Sequence, residues 1–197
     1  PDPMGSSVFS GLRFRSIGPA VTSGRVIAFA VDPNDRSKYF VAVASGGVWK
    51  TVNNGTTWTP VFENEGAFSI GAIALDPKNP ATVWVGTGER NSQRSVAYGD
   101  GVYRSDDGGK SWEVQASPVV AHLQSIAAWD ARRAVAVGNR GLAVVTDDGG
   151  KTWKEVKLPR SEVANKLLQV RAYPDGVAWA VGEVGAVLKT TDFGTTW

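Results

Sequence analysis

Cysteine is missing from all 197 residues, which excludes a disulfide framework and any Cys-based zinc site and leaves packing to supply the stability. An excess of one charge is missing too. The 21 basic and 19 acidic residues leave a net charge of +2, without the Lys/Arg stripe of a nucleic-acid binder, so nucleic acid is not implied as a partner. No apolar run approaches the roughly 18 to 20 residues that span a bilayer, and no apolar signal-peptide core precedes the first strand. The expectation is a soluble chain with no membrane span. Histidine is nearly missing as well. His122, the only one, opens a strand-like run, where a packed or surface role is expected rather than general-base work. There is no Ser-His-Asp order, no metal-ligand spacing and no phosphate loop, so no cofactor, no metal and no catalytic residue are expected.

What is present is turn chemistry. The 23 Gly, 10 Pro and 8 Trp punctuate many short Val/Ala/Ile runs, the pattern of an all-β chain of short strands. An eight-residue pattern, Ser/Thr-x-Asp-x-Gly-x-Thr/Ser-Trp, recurs as TVNNGTTW (Thr51 to Trp58), SDDGGKSW (Ser105 to Trp112), TDDGGKTW (Thr146 to Trp153) and TTDFGTTW (Thr190 to Trp197). In each copy the third residue (Asn53, Asp107, Asp148, Asp192) accepts hydrogen bonds from backbone N–H groups two or three residues on. The fifth (Gly55, Gly109, Gly150, Gly194) takes the positive φ of the turn, and the hydroxyl residues flank it. The last (Trp58, Trp112, Trp153, Trp197) is a wedge between one sheet and the next. These residues are expected to build structure rather than perform chemistry.

Around each box the order strand, turn, strand, Gly-rich link, strand, box, strand recurs, which is one propeller blade. The first unit predicts strands over Arg25 to Val31, Tyr39 to Ala44, Gly47 to Thr51 and Thr57 to Phe62. The second predicts Ile70 to Leu75, Val83 to Gly86 and Val102 to Arg104. Box tryptophans lie 54, 41 and 44 residues apart, and the excess of the second unit is the insert Glu89 to Gly99. Residues 1–7, PDPMGSS, read as a cloning remnant, and residues 8–197 as one propeller domain with blades near 24–63, 69–117, 119–159 and 166–197. The fourth blade has no strand after its box, and Leu12 to Ile17, apolar and polar in alternation, is the expected replacement. That strand would close a four-bladed ring within one chain, or two chains would close reciprocally into an eight-bladed homodimer.

The four boxes resemble the Asp-box, or bacterial neuraminidase repeat, propellers. Residues 8–117 resemble sortilin-type glycosyl-hydrolase-like repeat proteins through FRSIGPAVTSGRV (Phe14 to Val26), SGGVWKT (Ser45 to Thr51) and GTGERNSQRSVAYGDGVYRSDDGGKSW (Gly86 to Trp112). Residues 118–197 resemble the photosystem II stability and assembly factor family through AVGNRGLAVVTDDGGKTW (Ala136 to Trp153) and AWAVGEVGAVLKTTDFGTTW (Ala178 to Trp197). The second resemblance implies a non-enzymatic binding scaffold. Two branches in one chain fit either a natural fusion or an engineered chimera. A periplasmic or secreted bacterial location is favoured over a cytoplasmic one.

In such a propeller the links between second and third strands share one face with the links between blades, and the box turns occupy the other. The link face is expected to carry any ligand pocket. It gathers Arg25, Glu89, Arg90, Arg94, Tyr98, Arg140 and Glu183, able to hold a carboxylate or an acidic peptide through forked Arg contacts; surface ion pairs such as Glu89 with Arg94 are the plainer account. A protein or peptide ligand is therefore the expected partner. An Asp-box glycoside hydrolase or sialidase-like enzyme is the alternative, with Glu89, Asp100 and Glu183 as the acidic residues left on this face. Glycan stacking on Trp49, Tyr98, Tyr103 and Trp129 is a third.

Overall fold

The structure is a computed structural model, and it describes residues 24–89, 97–118, 122–159 and 166–197. Within each of the four sheets, every strand pairs antiparallel with its neighbour in sequence. The first sheet is β1 (Val26–Val31), β2 (Tyr39–Val43), β3 (Gly47–Thr51) and β4 (Thr59–Pro60). The second is β5 (Ile70–Leu75), β6 (Val83–Thr87), β7 (Val102–Ser105) and β8 (Glu113–Gln115). The third is β9 (Leu123–Ala128), β10 (Ala134–Gly138), β11 (Ala143–Thr146) and β12 (Lys154–Glu155), and the fourth has β13 (Leu167–Ala172), β14 (Ala178–Gly182) and β15 (Val187–Thr190).

The expected strands sit where the residue pattern places them, except the outermost ones. Thr57 to Phe62 shortens to β4 because Pro60 has no N–H for a ladder, and only the Val61 amide, donating to the Val48 carbonyl at 2.9 Å, extends the pairing. The proposed latch strand 12–17, and Arg90 and Arg94, lie outside the described residues.

The innermost strands β1, β5, β9 and β13 stand side by side, and consecutive sheets pack face to face through three apolar seams. Each seam is closed by an edge-to-face aromatic pair: Phe62 with Trp112 at 5.1 Å, Trp84 with Trp153 at 5.8 Å and Trp129 with Phe193 at 5.6 Å between ring centres. A cation seals the outer part of the first two. Lys50 donates from Nζ to the Gly108 carbonyl at 2.7 Å and lies 5.3 Å from the Phe40 ring, and burial pushes its ammonium below the ordinary value. Arg104 donates to the Gly149 carbonyl and lies 5.0 Å from the Trp84 ring.

Position in the stack decides burial more than sequence does. The strand β10, AVAVG, is buried along its whole length between the second and fourth sheets. The near-identical β14, AWAVG, alternates buried Ala178 and Ala180 with exposed Trp179 and Val181. One of its faces has no sheet against it: among the described residues the first and fourth sheets are not packed on each other as successive sheets are.

Candidate binding face

The two ends of each sheet do different work, and hydrogen bonds between turns sort them. At one end each box amide docks on the turn between the first two strands: Asn54 donates to the Ser37 carbonyl, Gly108 to Ala81, Gly149 to Arg132 and Phe193 to Gly176, at 2.8 to 3.0 Å. At the other, the links inside blades dock on the links between them: Gly47 donates to the Phe68 carbonyl, Gly88 to Ser69, Asn139 to His122 and Glu183 to Lys166, at 2.8 to 3.2 Å. The link face and box face are therefore opposite ends, as the residue pattern implies.

The box end is fully occupied by its own geometry. The first hydroxyl of each box (Thr51, Ser105, Thr146, Thr190) accepts from the box glycine amide at 2.8 to 3.0 Å. It also donates to the box carboxylate or amide oxygen. The carboxylates then reach further along the chain than an Asx-turn of two or three residues: Asp107 accepts from the Ser111 amide and hydroxyl, Asp148 from those of Thr152 and Asp192 from those of Thr196. Two consecutive left-handed residues make this reach possible, such as Gly149 at φ 82° and Gly150 at φ 86°. The bonds from Ser111 hold Asp107 well below the ordinary carboxylate range. Burial pushes Asp148 up, but the bonds from Thr152 and Thr146 outweigh it and bring it to about 2.

The link end is different. Glu89 is buried there and takes an ion pair from exposed Arg25, joining the first two blades. The expected partner Arg94 lies outside the described residues, and the insert around it begins from this pair. His122 sits beside Glu89 with its ring Nδ1 3.4 Å from the Glu89 carbonyl. Exposed Tyr98 donates to the Gly66 carbonyl at 2.7 Å. Arg140 and Glu183 are exposed at the tips of one-turn links, and among the described residues no ion pair joins them to each other or to the Arg25–Glu89 pair. Val184 follows Glu183 with φ 55°, a left-handed conformation that a β-branched residue adopts only under constraint.

Sequence reasoning did not find three features. Glu65 has no counterpart in the repeat, yet burial and then the charge of Asp100 push its carboxyl upward. Asp100 is itself held by the Tyr103 hydroxyl at 2.6 Å and the Thr87 hydroxyl at 3.0 Å, while burial and then that bond push the Tyr103 phenol far above its ordinary value. The third is an axial cavity of about 410 Å³ between the four inner strands, lined among others by Phe29, Gln124 and Arg171. The side-chain amide of Gln124 is fully buried; it donates to Asn139 at 2.8 Å, and its oxygen has no hydrogen-bond partner among the described residues. A side-chain amide inside the otherwise small or apolar strand LQSIAA is the signal that could have marked it. Of the aromatic residues considered for sugar stacking, Tyr103 and Trp129 are core side chains and Trp49 is half-buried with its indole N–H on the Gly46 carbonyl, which leaves Tyr98.

Residues 104–197 match a family model described as photosynthesis system II assembly factor YCF48. The photosystem II assembly protein Ycf48 of Synechococcus sp. (strain JA-2-3B'a(2-13)) is 26% identical over 145 residues, covering 73% of this chain and 39% of its own length. That match is longer than residues 118–197, so the similarity crosses the boundary drawn between the two halves of the sequence. The chain spans about two fifths of the length of the curated relatives it matches. Among solved structures, an ancestral GH74 enzyme superposes with TM-score 0.69 at 22% identity, covering 91% of this chain and 24% of that one. YCF48 bound to D1 peptide superposes with TM-score 0.63 at 18% identity, covering 91% of this chain and 54% of that one. At those identities the superpositions speak for the fold. With the four boxes, they make this chain an Asp-box protein of β-propeller type, similar to the photosystem II assembly factors.

Proposed function

We propose that this chain is a non-enzymatic binding scaffold that holds a peptide or protein segment across its link end. One observation carries the reading. The carboxylate or amide at the third position of every box is consumed by its own turn, whereas Arg140, Glu183, Val184 and Tyr98 stand exposed on the link end, and among the described residues the side chains of Arg140 and Glu183 make no hydrogen bond or ion pair. Charged groups flanking an exposed aliphatic and a ring suit a short extended segment with acidic and apolar positions. YCF48, similar in fold, has been captured with a D1 peptide, and that supports a peptide ligand of this kind.

The glycoside hydrolase reading draws on the likeness to GH74 enzymes and on the proximity of Glu65 to Asp100. It is the weaker one because Asp100 is tied to Tyr103 and Thr87, and Glu89 lies beneath Arg25. Calorimetric titration with a D1 peptide and with an acidic peptide, at fixed salt, tests the proposal. Binding to at least one is expected, with a loss of tenfold or more in the Arg94→Glu/Arg140→Glu double variant at an unchanged melting temperature. Equal binding by that variant, or release of reducing ends from a polysaccharide by the same sample, would overturn it.

A further inference from the structure

We propose that the groove between the outer strand of the first blade and the box of the second binds a phosphoryl group, held by Lys50 and Lys110. The site goes beyond the peptide-binding reading and lies away from the link-end residues. Its two walls are successive blades inside the stack, so it is not an end face.

The repeat supplies its own contrast, because the residue just before each box decides how a seam carries charge. In the second seam that residue is Arg104, whose Nε and Nη2 donate to Asp106 Oδ1 at 2.9 and 2.7 Å, so the cation is neutralised from its own box. In the third seam it is Val145, which packs against the apolar cluster and brings no charge. In the first seam it is Lys50, and the first box has Val52 where the second has Asp106. Lys50 Nζ donates to the Gly108 carbonyl at 2.7 Å, and a Cβ on Gly108 would lie 3.1 Å from that nitrogen, so the glycine makes room for the ammonium. A carbonyl takes one of its three N–H donors and none of its charge. Among the described residues no carboxylate forms an ion pair with Lys50 or with Lys110. The charge of Asp107 reaches Lys50, but its oxygens are taken by Ser105, Ser111 and the Lys110 amide. Burial first, and then the charge of Lys110, push the Lys50 ammonium below its ordinary value, the mark of a half-buried cation without a counter-ion.

Both lysines line one cavity of about 500 Å³. Thr59 and Asn64 add a hydroxyl and an amide that make no side-chain bond among the described residues, and Val52 and Pro60 give an apolar wall. Compact ammonium groups with rotating donors suit a tetrahedral oxyanion, whereas a planar carboxylate is matched by a forked guanidinium, which this site lacks. The volume is that of a pocket for a small organic ligand, so the apolar wall has room for the carbon part of a phosphate ester. Glu63 shares the lining and opposes an anion there.

Titration of the 15N-labelled chain with inorganic phosphate, phenyl phosphate and benzoate, at fixed ionic strength and followed by amide shifts, tests this. Saturable shifts are expected at Lys50, Thr59 and Gly108 to Lys110 with the phosphates and not with benzoate. Tighter binding of phenyl phosphate than of inorganic phosphate identifies an ester as the source, and equal binding the free anion; saturation at this groove supports the proposal in either case. Lys110 is exposed, so Lys110→Gln leaves the fold intact and should weaken phenyl phosphate by about tenfold, the worth of one charge-assisted contact. Glu63→Gln should tighten it. Lys151→Gln, at the matching position of the third box across the seam from the neutralised Arg104, should leave it unchanged. Shifts that rise without saturating, benzoate binding equal to phenyl phosphate, or equal losses in Lys151→Gln and Lys110→Gln would overturn the proposal.

Discussion

Asp148 shows how much one side chain does at the box end. It accepts from the Thr152 amide at 3.0 Å, from the Thr152 hydroxyl at 2.6 Å and from the Thr146 hydroxyl at 2.9 Å, and so pins both sides of a turn that runs through two left-handed glycines. Replacing it by Ala leaves those donors to water and should lower stability at pH 7 by about 1 to 2 kcal/mol, as loss of a comparable capping group does. The effect carries a pH signature. The folded carboxyl titrates at about 2, below its ordinary value of 3.8, so its contribution is complete above pH 4 and is lost as the pH falls through 2. The difference between wild type and Asp148→Ala, read by urea denaturation, should thus be constant from pH 7 to 5 and shrink between pH 4 and 2. A gap that widened toward acid would refute this account. Asn53 fills the same position in the first box and keeps the bond to the Thr57 amide at 2.9 Å, so Asp148→Asn should cost less than Asp148→Ala.

At the scale of the blade, identical motifs acquire different worth from their neighbours. Trp153 is buried against Trp84, whereas Trp58 packs edge-on against Tyr39 and is 40% exposed. Trp153→Ala opens a cavity in a seam and should cost about 3 to 5 kcal/mol. Trp58→Ala should cost less than half as much. Equal losses would mean that the box tryptophans act within their own turns rather than between blades. This contrast also marks what the sequence could and could not convey. The box residues and the inner strands are legible because each is a local recipe: Asp-x-Gly with a following hydroxyl is a turn wherever it stands, and β5 begins and ends where its apolar run does. The Asp reach of four residues was missed because it depends on the second left-handed residue, which is Asn54 or Phe193 in two of the boxes and not a glycine. The candidate face was legible only in outline. Chain topology placed Arg25 and Glu89 at the same end, but their pairing across 64 residues of sequence, the carboxyl of Glu65 beside Asp100 and the buried amide of Gln124 arise from packing between blades, which no single repeat encodes.

Across the whole molecule, stability should fall from the middle of the stack toward its ends. Proteins built of repeats are held by interfaces between neighbours, so a unit with two seams opens less readily than a unit with one. The two central blades have seams on both faces, and β6, β9 and β10 are buried at every residue. The first blade exposes Val26, Phe29 and Val31 of β1, and the fourth exposes Trp179 and Val181 of β14 and Val187 of β15. Native-state hydrogen exchange at low protein concentration should therefore show the slowest amides in β6 and β10 and faster exchange in β2 and β14, although β14 repeats the AVAVG pattern of β10 almost letter for letter. Uniform protection along the chain would show that the blades open as one unit and that burial at the seams does not set local stability.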